Sequence, residues 1–174
     1  MKHLELYQQW SRCEGLTTDI ITLLTNLPNT LIKLDFHDEG EYLDVPTPLS
    51  FIVNLTNLQE MILSFKYDSA FEDFKELQYV TFSHLQVLKF ENKSPANELL
   101  TKFLENNGKN LRELYIDNYP NNSLNLAIAK FCPNLRKLFT GFKHNELETL
   151  KMIFNACQYL ESIKIWCCGD YLSD

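Results

Sequence analysis

Five cysteines (13, 132, 157, 167, 168) and four histidines (3, 37, 84, 144) are the side chains here best suited to nucleophilic, proton-transfer or metal chemistry. Their spacing points to none of these. Cys132 and Cys157 occupy equivalent places in a repeat described below. Free cysteine behaves as a small hydrophobe, so each reads as a buried residue at a helix end, with a disulfide or metal pair as the alternative. Cys167 and Cys168 are adjacent, with no Cys-x-x-Cys and no close histidine, which speaks against zinc. The histidines are dispersed, and no His-Glu-x-x-His, Gly-x-Ser-x-Gly or Walker-type loop occurs. The 5 glycines lie too far apart to cradle a phosphate. The expectation is a non-enzymatic chain with no metal site and no cofactor.

Binding chemistry is better represented. Tyr115, Phe139 and Trp166 recur at similar intervals, with Lys137 and Lys164 between them and Gly141 leaving room beside Trp166. Aromatic rings with nearby cations are what the centre of a protein-binding surface tends to contain. Scattered surface aromatics, which are ordinary, are the plain alternative. A further repeat covering Trp166 would also account for it. Which reading applies depends on the elements that carry these residues.

Those elements follow from a repeated phrase, clearest at Asn110 to Asn118. Leu111, Leu114 and Ile116 are its apolar residues. Strand side chains alternate between two faces, so Leu114 and Ile116 share one face while Glu113, Tyr115 and Asp117 share the other. The copies begin at Met1, Leu31, Leu58, Leu85, Leu111, Leu135 and Leu160, in steps of 30, 27, 27, 26, 24 and 25 residues. That period and pattern are those of a leucine-rich repeat. Thr140 is the polar exception in the core row and reads as a tolerated position near a strand end. On the other face, His3, Lys33, Glu60, Val87, Glu113, Lys137 and Ser162 form one row. Glu5, Asp35, Ile62, Lys89, Tyr115, Phe139 and Lys164 form the next.

Each connector must return the chain for another parallel strand. Thr17–Leu27 predicts a helix with apolar residues at 20, 23, 24 and 27. Ser50–Leu55, after Pro46 and Pro48, predicts little more than one turn. Phe71–Val80 predicts a helical turn followed by a short extended piece through Phe82. Ser94–Asn107 predicts a helix capped by Ser94, with Pro95 in its first position and Gly108 closing it. Ser123–Phe131 predicts a helix. Asn145–Cys157 predicts another, capped by Asn145 and striped by Leu147, Leu150, Ile153 and Phe154. The predicted fold is an α/β leucine-rich-repeat solenoid, a horseshoe of about seven repeats with a parallel concave sheet and convex helices.

The segments Leu126-Ala-Ile-Ala-Lys-Phe-Cys-Pro-Asn-Leu-Arg-Lys-Leu and Phe154-Asn-Ala-Cys-Gln-Tyr-Leu-Glu-Ser-Ile resemble the cysteine-containing leucine-rich repeats of F-box proteins, the ribonuclease-inhibitor-like class. The resemblance implies the substrate-receptor part of a Skp-cullin-F-box ubiquitin ligase. It implies a Skp-type adaptor only through an F-box, which this chain lacks. The alternative is a regulatory or inhibitory repeat protein unrelated to ubiquitin, of inhibitor or GTPase-regulator type.

Composition sets the remaining bounds. At 174 residues and 45% apolar, the chain suits one domain, 1–174, with a sizeable core. Met1 already occupies a core position and the final segment stops where a helix is due, so the domain is expected to be a fragment of a longer array. A net charge of −7 argues against nucleic acid and anionic membranes as partners. No run approaches a membrane span and no apolar signal core opens the chain. With an odd number of cysteines, this predicts a cytoplasmic or nuclear location. The expected partner is a protein ligand on the strand face. The expected contact residues are Tyr115, Phe139, Lys137, Lys164 and Trp166.

Overall fold

Seven strands form because the chain alternates apolar and polar residues after each marker. A single-residue slip would turn every apolar side chain to the wrong face. In the computed structural model, which describes residues 1–8, 18–27, 29–38, 49–117 and 121–168, these are β1 (His3–Gln8), β2 (Lys33–Asp38), β3 (Glu60–Phe65), β4 (Val87–Asn92), β5 (Glu113–Ile116), β6 (Lys137–Lys143) and β7 (Ser162–Cys168). Thr17, Cys13, Pro46, Pro48 and residues 169–174 lie outside the described residues, as does the side chain of Cys168.

The strands make one all-parallel sheet in sequential order, β1 to β7. Leu4, Leu34, Met61, Leu88, Leu114, Leu138 and Ile163 pair one to the next across the whole sheet. The marker residues Leu31, Leu58, Leu85, Leu111 and Leu135 are fully buried. The other face carries the two predicted rows in the same register. The fold is therefore α/β, with helical connectors between consecutive strands.

Asparagines tie successive turns together. The Nδ2 of Asn57, Asn110 and Asn134 donates to the carbonyls of Asn29 (2.5 Å), Ser83 (3.1 Å) and Lys109 (2.8 Å). Each bond satisfies a turn carbonyl that no strand reaches.

The connectors depart from expectation in instructive ways. Helix α1 spans Thr18–Thr25 and buries Leu24 but exposes Leu23. Ser50–Asn54 is a single 3-10 turn, as expected. Between β3 and β4 lie a 3-10 turn (Asp68–Phe71) and a short α2 (Phe74–Leu77), and no strand follows. The backbone there is occupied by a side chain. Asn107, fully buried, accepts from the Phe82 N–H at 2.7 Å and donates to the Val80 carbonyl at 2.9 Å.

Helix α3 spans Asn97–Asn107, and its cap position is Ala96, not Ser94. Ala96 is extended (ψ 139), so Pro95 precedes the helix rather than opening it. Helix α4 (Asn122–Phe131) is capped by Asn121, whose Oδ1 accepts from the Leu124 N–H at 3.0 Å. Helix α5 (Leu147–Ala156) has Glu146 in the cap position without a side-chain cap bond. It buries Ile153 and leaves Leu147 and Phe154 exposed, because α4 covers only one side of it.

Gly108 does not close α3 with a left-handed residue. Its φ is −60°, and the chain continues into a 3-10 turn, Gly108–Asn110. The reason for glycine is space. A Cβ would lie 2.8 Å from both the Cys132 Sγ and the Phe131 carbonyl oxygen. Gly108→Ala is expected to destabilise the protein by about 1–3 kcal/mol, as overpacking does. Adding Cys132→Ala should restore part of that in chemical denaturation. No loss in the single variant would show that the two turns are not pressed together here.

Thr140 is also not a strand-end exception. It is buried within β6, and its hydroxyl donates to Asn125 Oδ1 at 3.2 Å. Asn125 in turn donates to the Gly141 carbonyl (2.9 Å) and to Glu146 Oε2 (3.2 Å). Glu146 also accepts from the Lys143 N–H at 3.2 Å. Buried polar groups persist where their bonds are made. Glu146 is drawn into this network, and that explains why Asn145 does not cap α5.

Candidate functional site

Three neighbouring strands bring the aromatic residues together. Tyr115 pairs with Phe139 in the β5–β6 register, and Phe139 pairs with Lys164 in the β6–β7 register. Trp166 sits opposite Gly141, two residues further along β7. Side chains two apart on one strand share a face, so all of these project from the sheet on the side away from the helices.

Their rings form a continuous ladder. Tyr115 and Phe139 are stacked with centroids 4.1 Å apart and planes at 8°. Trp166 meets Phe139 edge to face, at 6.0 Å and 76°. Lys164 Nζ lies 4.8 Å from the Phe139 centroid, within cation–π range. Phe139, expected to be a surface contact, is instead only 5% exposed, covered by Tyr115, Lys164 and Trp166. Trp166 is 52% exposed and Tyr115 partly exposed, so these two present the ladder to solvent.

Lys137 lies in its expected row, opposite Glu113 and Ser162. Its ammonium donates to Glu113 Oε1 at 2.7 Å, and Lys89 approaches the other Glu113 oxygen at 3.9 Å. The hydrogen bond and charge of Glu113 raise the Lys137 pKa above its ordinary value. Lys137 therefore borders the ladder as half of an exposed ion pair, while Lys164 is the cation resting on a ring. Burial raises the Tyr115 pKa, helped by the charges of Asp117 and Glu91. Its phenol stays neutral at physiological pH.

A second feature was not anticipated. At the N-terminal ends of β4–β6 an open cavity of about 420 Å³ is lined by His84, Gln86, Lys109, Arg112, Arg136 and Tyr159, among others. Arg136 pairs with Glu161 at 2.8 Å. Lys109 and Arg112 have no carboxylate partner among the described residues. The signal was available: Gln86, Arg112 and Arg136 each follow a marker leucine directly, so neighbouring strands had to place them side by side. Arg112 and Arg136 precede Tyr115 and Phe139 by three residues, or about 10 Å of strand.

The cysteines are as the plain reading has them. Cys132 and Cys157 are buried free thiols directly after α4 and α5. Cys157 Sγ donates to the Cys132 carbonyl at 3.3 Å, a thiol-to-backbone contact. Burial holds both thiols above the usual range, which suppresses the reactive thiolate. No helix among the described residues is long and apolar enough to cross a membrane. A search of protein-family models, of curated proteins and of solved structures finds no match to this chain.

Proposed function

We propose that this chain is a leucine-rich-repeat solenoid acting as a non-enzymatic protein-recognition scaffold, with its outward strand face as the concave binding wall. The solenoid reading is supported by strictly sequential parallel strands whose equivalent residues stay in register from β1 to β7. It is also supported by the asparagine bonds that recur between turns. By the resemblance of its cysteine-containing segments, the parent protein would present a bound ligand for ubiquitination, meeting a Skp-type adaptor only through an F-box outside this chain.

The observation that carries the binding role is the Tyr115–Phe139–Trp166 ladder with Lys164 against it. Rigid aromatic area on a rigid sheet loses little conformational entropy on binding, so it suits a hot spot. The neighbouring cavity with Lys109 and Arg112 would receive acidic residues of the same ligand.

The test uses a photo-crosslinking side chain at Ser162, on the ladder's face, and another at Lys151 on α5 as control. A protein ligand should crosslink at the first position only. Trp166→Ala should weaken it by at least about tenfold, as loss of a hot-spot residue does, with the melting curve unchanged. Equal crosslinking at both positions, or undiminished binding by Trp166→Ala, would remove the ladder as the contact surface.

A further inference from the structure

We propose that His3, Glu5 and Asp35 form a binding site for a divalent transition metal of the zinc class, with His37 as the residue that positions Asp35. The four are spread over 35 residues of sequence, which is why the histidines read as dispersed. Pairing of β1 with β2 changes that. Glu5 lies opposite Asp35, and Tyr7 lies opposite His37, all on the face away from the helices.

Three observations converge. One ligand atom from each of His3, Glu5 and Asp35 can be chosen so that all lie within 4.8 Å of one another. His3 Nε2 and Glu5 Oε1 are already 3.3 Å apart. Metal–ligand bonds of about 2.0–2.1 Å in a tetrahedron put neighbouring ligand atoms about 3.3 Å apart, which is the spacing the His3–Glu5 pair already has.

The two carboxylates also face each other across a strand pair, a placement that is destabilising when both are ionised. A divalent cation between them would reverse the sign of that interaction.

Lastly, Asp35 is already held. His37 Nε2 lies 2.6 Å from Asp35 Oδ1, and its ring is stacked on Tyr7 at 4.7 Å and 8°. A histidine locked by stacking and bonded to a ligating carboxylate is the outer-layer support that metal sites use. One imidazole with two carboxylates suits zinc, cobalt(II) or manganese(II) better than calcium or magnesium, which prefer all-oxygen surroundings. Three protein ligands leave at least one position open to water or to a donor from a bound protein.

Cobalt(II) is the probe, titrated into the full chain. One equivalent should bind with visible d–d absorption and no thiolate charge-transfer band. Zinc should displace it. Glu5→Gln and Asp35→Asn should each weaken binding tenfold or more with folding unchanged by circular dichroism. His37→Ala should weaken it severalfold at the same stoichiometry, and His37→Gln, which keeps an N–H donor, should recover part of the loss. A thiolate band would place the metal on cysteine instead. Unchanged affinity in Glu5→Gln and Asp35→Asn, with His3→Ala alone having an effect, would reduce the site to chelation by the chain's amino end. Either result, or no binding at all, overturns the proposal.

Discussion

Replacing Phe74 with alanine is expected to cost about 3–5 kcal/mol of stability, the usual loss for a fully buried phenylalanine. Phe74 has no solvent exposure and opens the short helix α2 as part of the buried core. Its ring meets Phe71, Phe90 and Phe103 at 6.2, 5.8 and 5.4 Å. Phe71 continues to Phe65 at 4.9 Å, and Phe65 to Phe36 at 5.3 Å. One aromatic chain therefore links turns from β2 to α3. Truncation leaves a cavity that stiff neighbouring rings cannot collapse to fill. A domain with about 5–15 kcal/mol in total would be left marginal. Phe74→Leu keeps most of the volume and should cost about 1.5 kcal/mol or less. Urea denaturation of both variants checks this, and equal losses would show that shape at this position does not matter.

Asn107→Ala is expected to cost about 2–5 kcal/mol without removing any apolar surface. The buried Phe82 N–H and the part-buried Val80 carbonyl would lose their partner, and a buried group left unpaired costs about 1–3 kcal/mol. Asn107→Asp separates the two bonds. A carboxylate still accepts from Phe82 but cannot donate to Val80, and it carries a buried charge. Burial raises a carboxyl pKa, so the folded Asp variant binds more protons than the unfolded one. Its stability should fall as pH rises and recover, relative to the wild type, as pH is lowered toward the carboxylate range. Melting curves of the Asn107→Asp variant across pH 4–8 read this directly. A flat difference between Asp and wild type would mean that the site is not buried.

Much of this architecture could be read from residue order. Leu88, Leu114 and Leu138 lie in register because each stands three residues after its marker, and the strand period leaves one face for them. The aromatic ladder follows from the same counting, since Tyr115 and Phe139 share a register position. Counting does not reach the side chains of the connectors. Ser94 and Asn145 look like caps, yet α3 and α5 start without them. Asn145 loses its place because Glu146 is drawn to Asn125 on the preceding turn. Phe139 looks like a contact residue, yet three neighbours cover it.

What the order of residues determined is the set of quantities that repeat: strand number, register, which face is apolar, and which rows point outward. These depend on local alternation and on a spacing near two dozen residues, and both are visible along the chain. What only the tertiary structure decided is the set of contacts made once. Gly108 against Cys132, Asn107 beneath Phe82, Glu146 with Asn125, and His3 beside Asp35 all depend on how deeply one turn settles on the next. That depth is set by the packing of whole side chains, and no periodicity in the sequence encodes it.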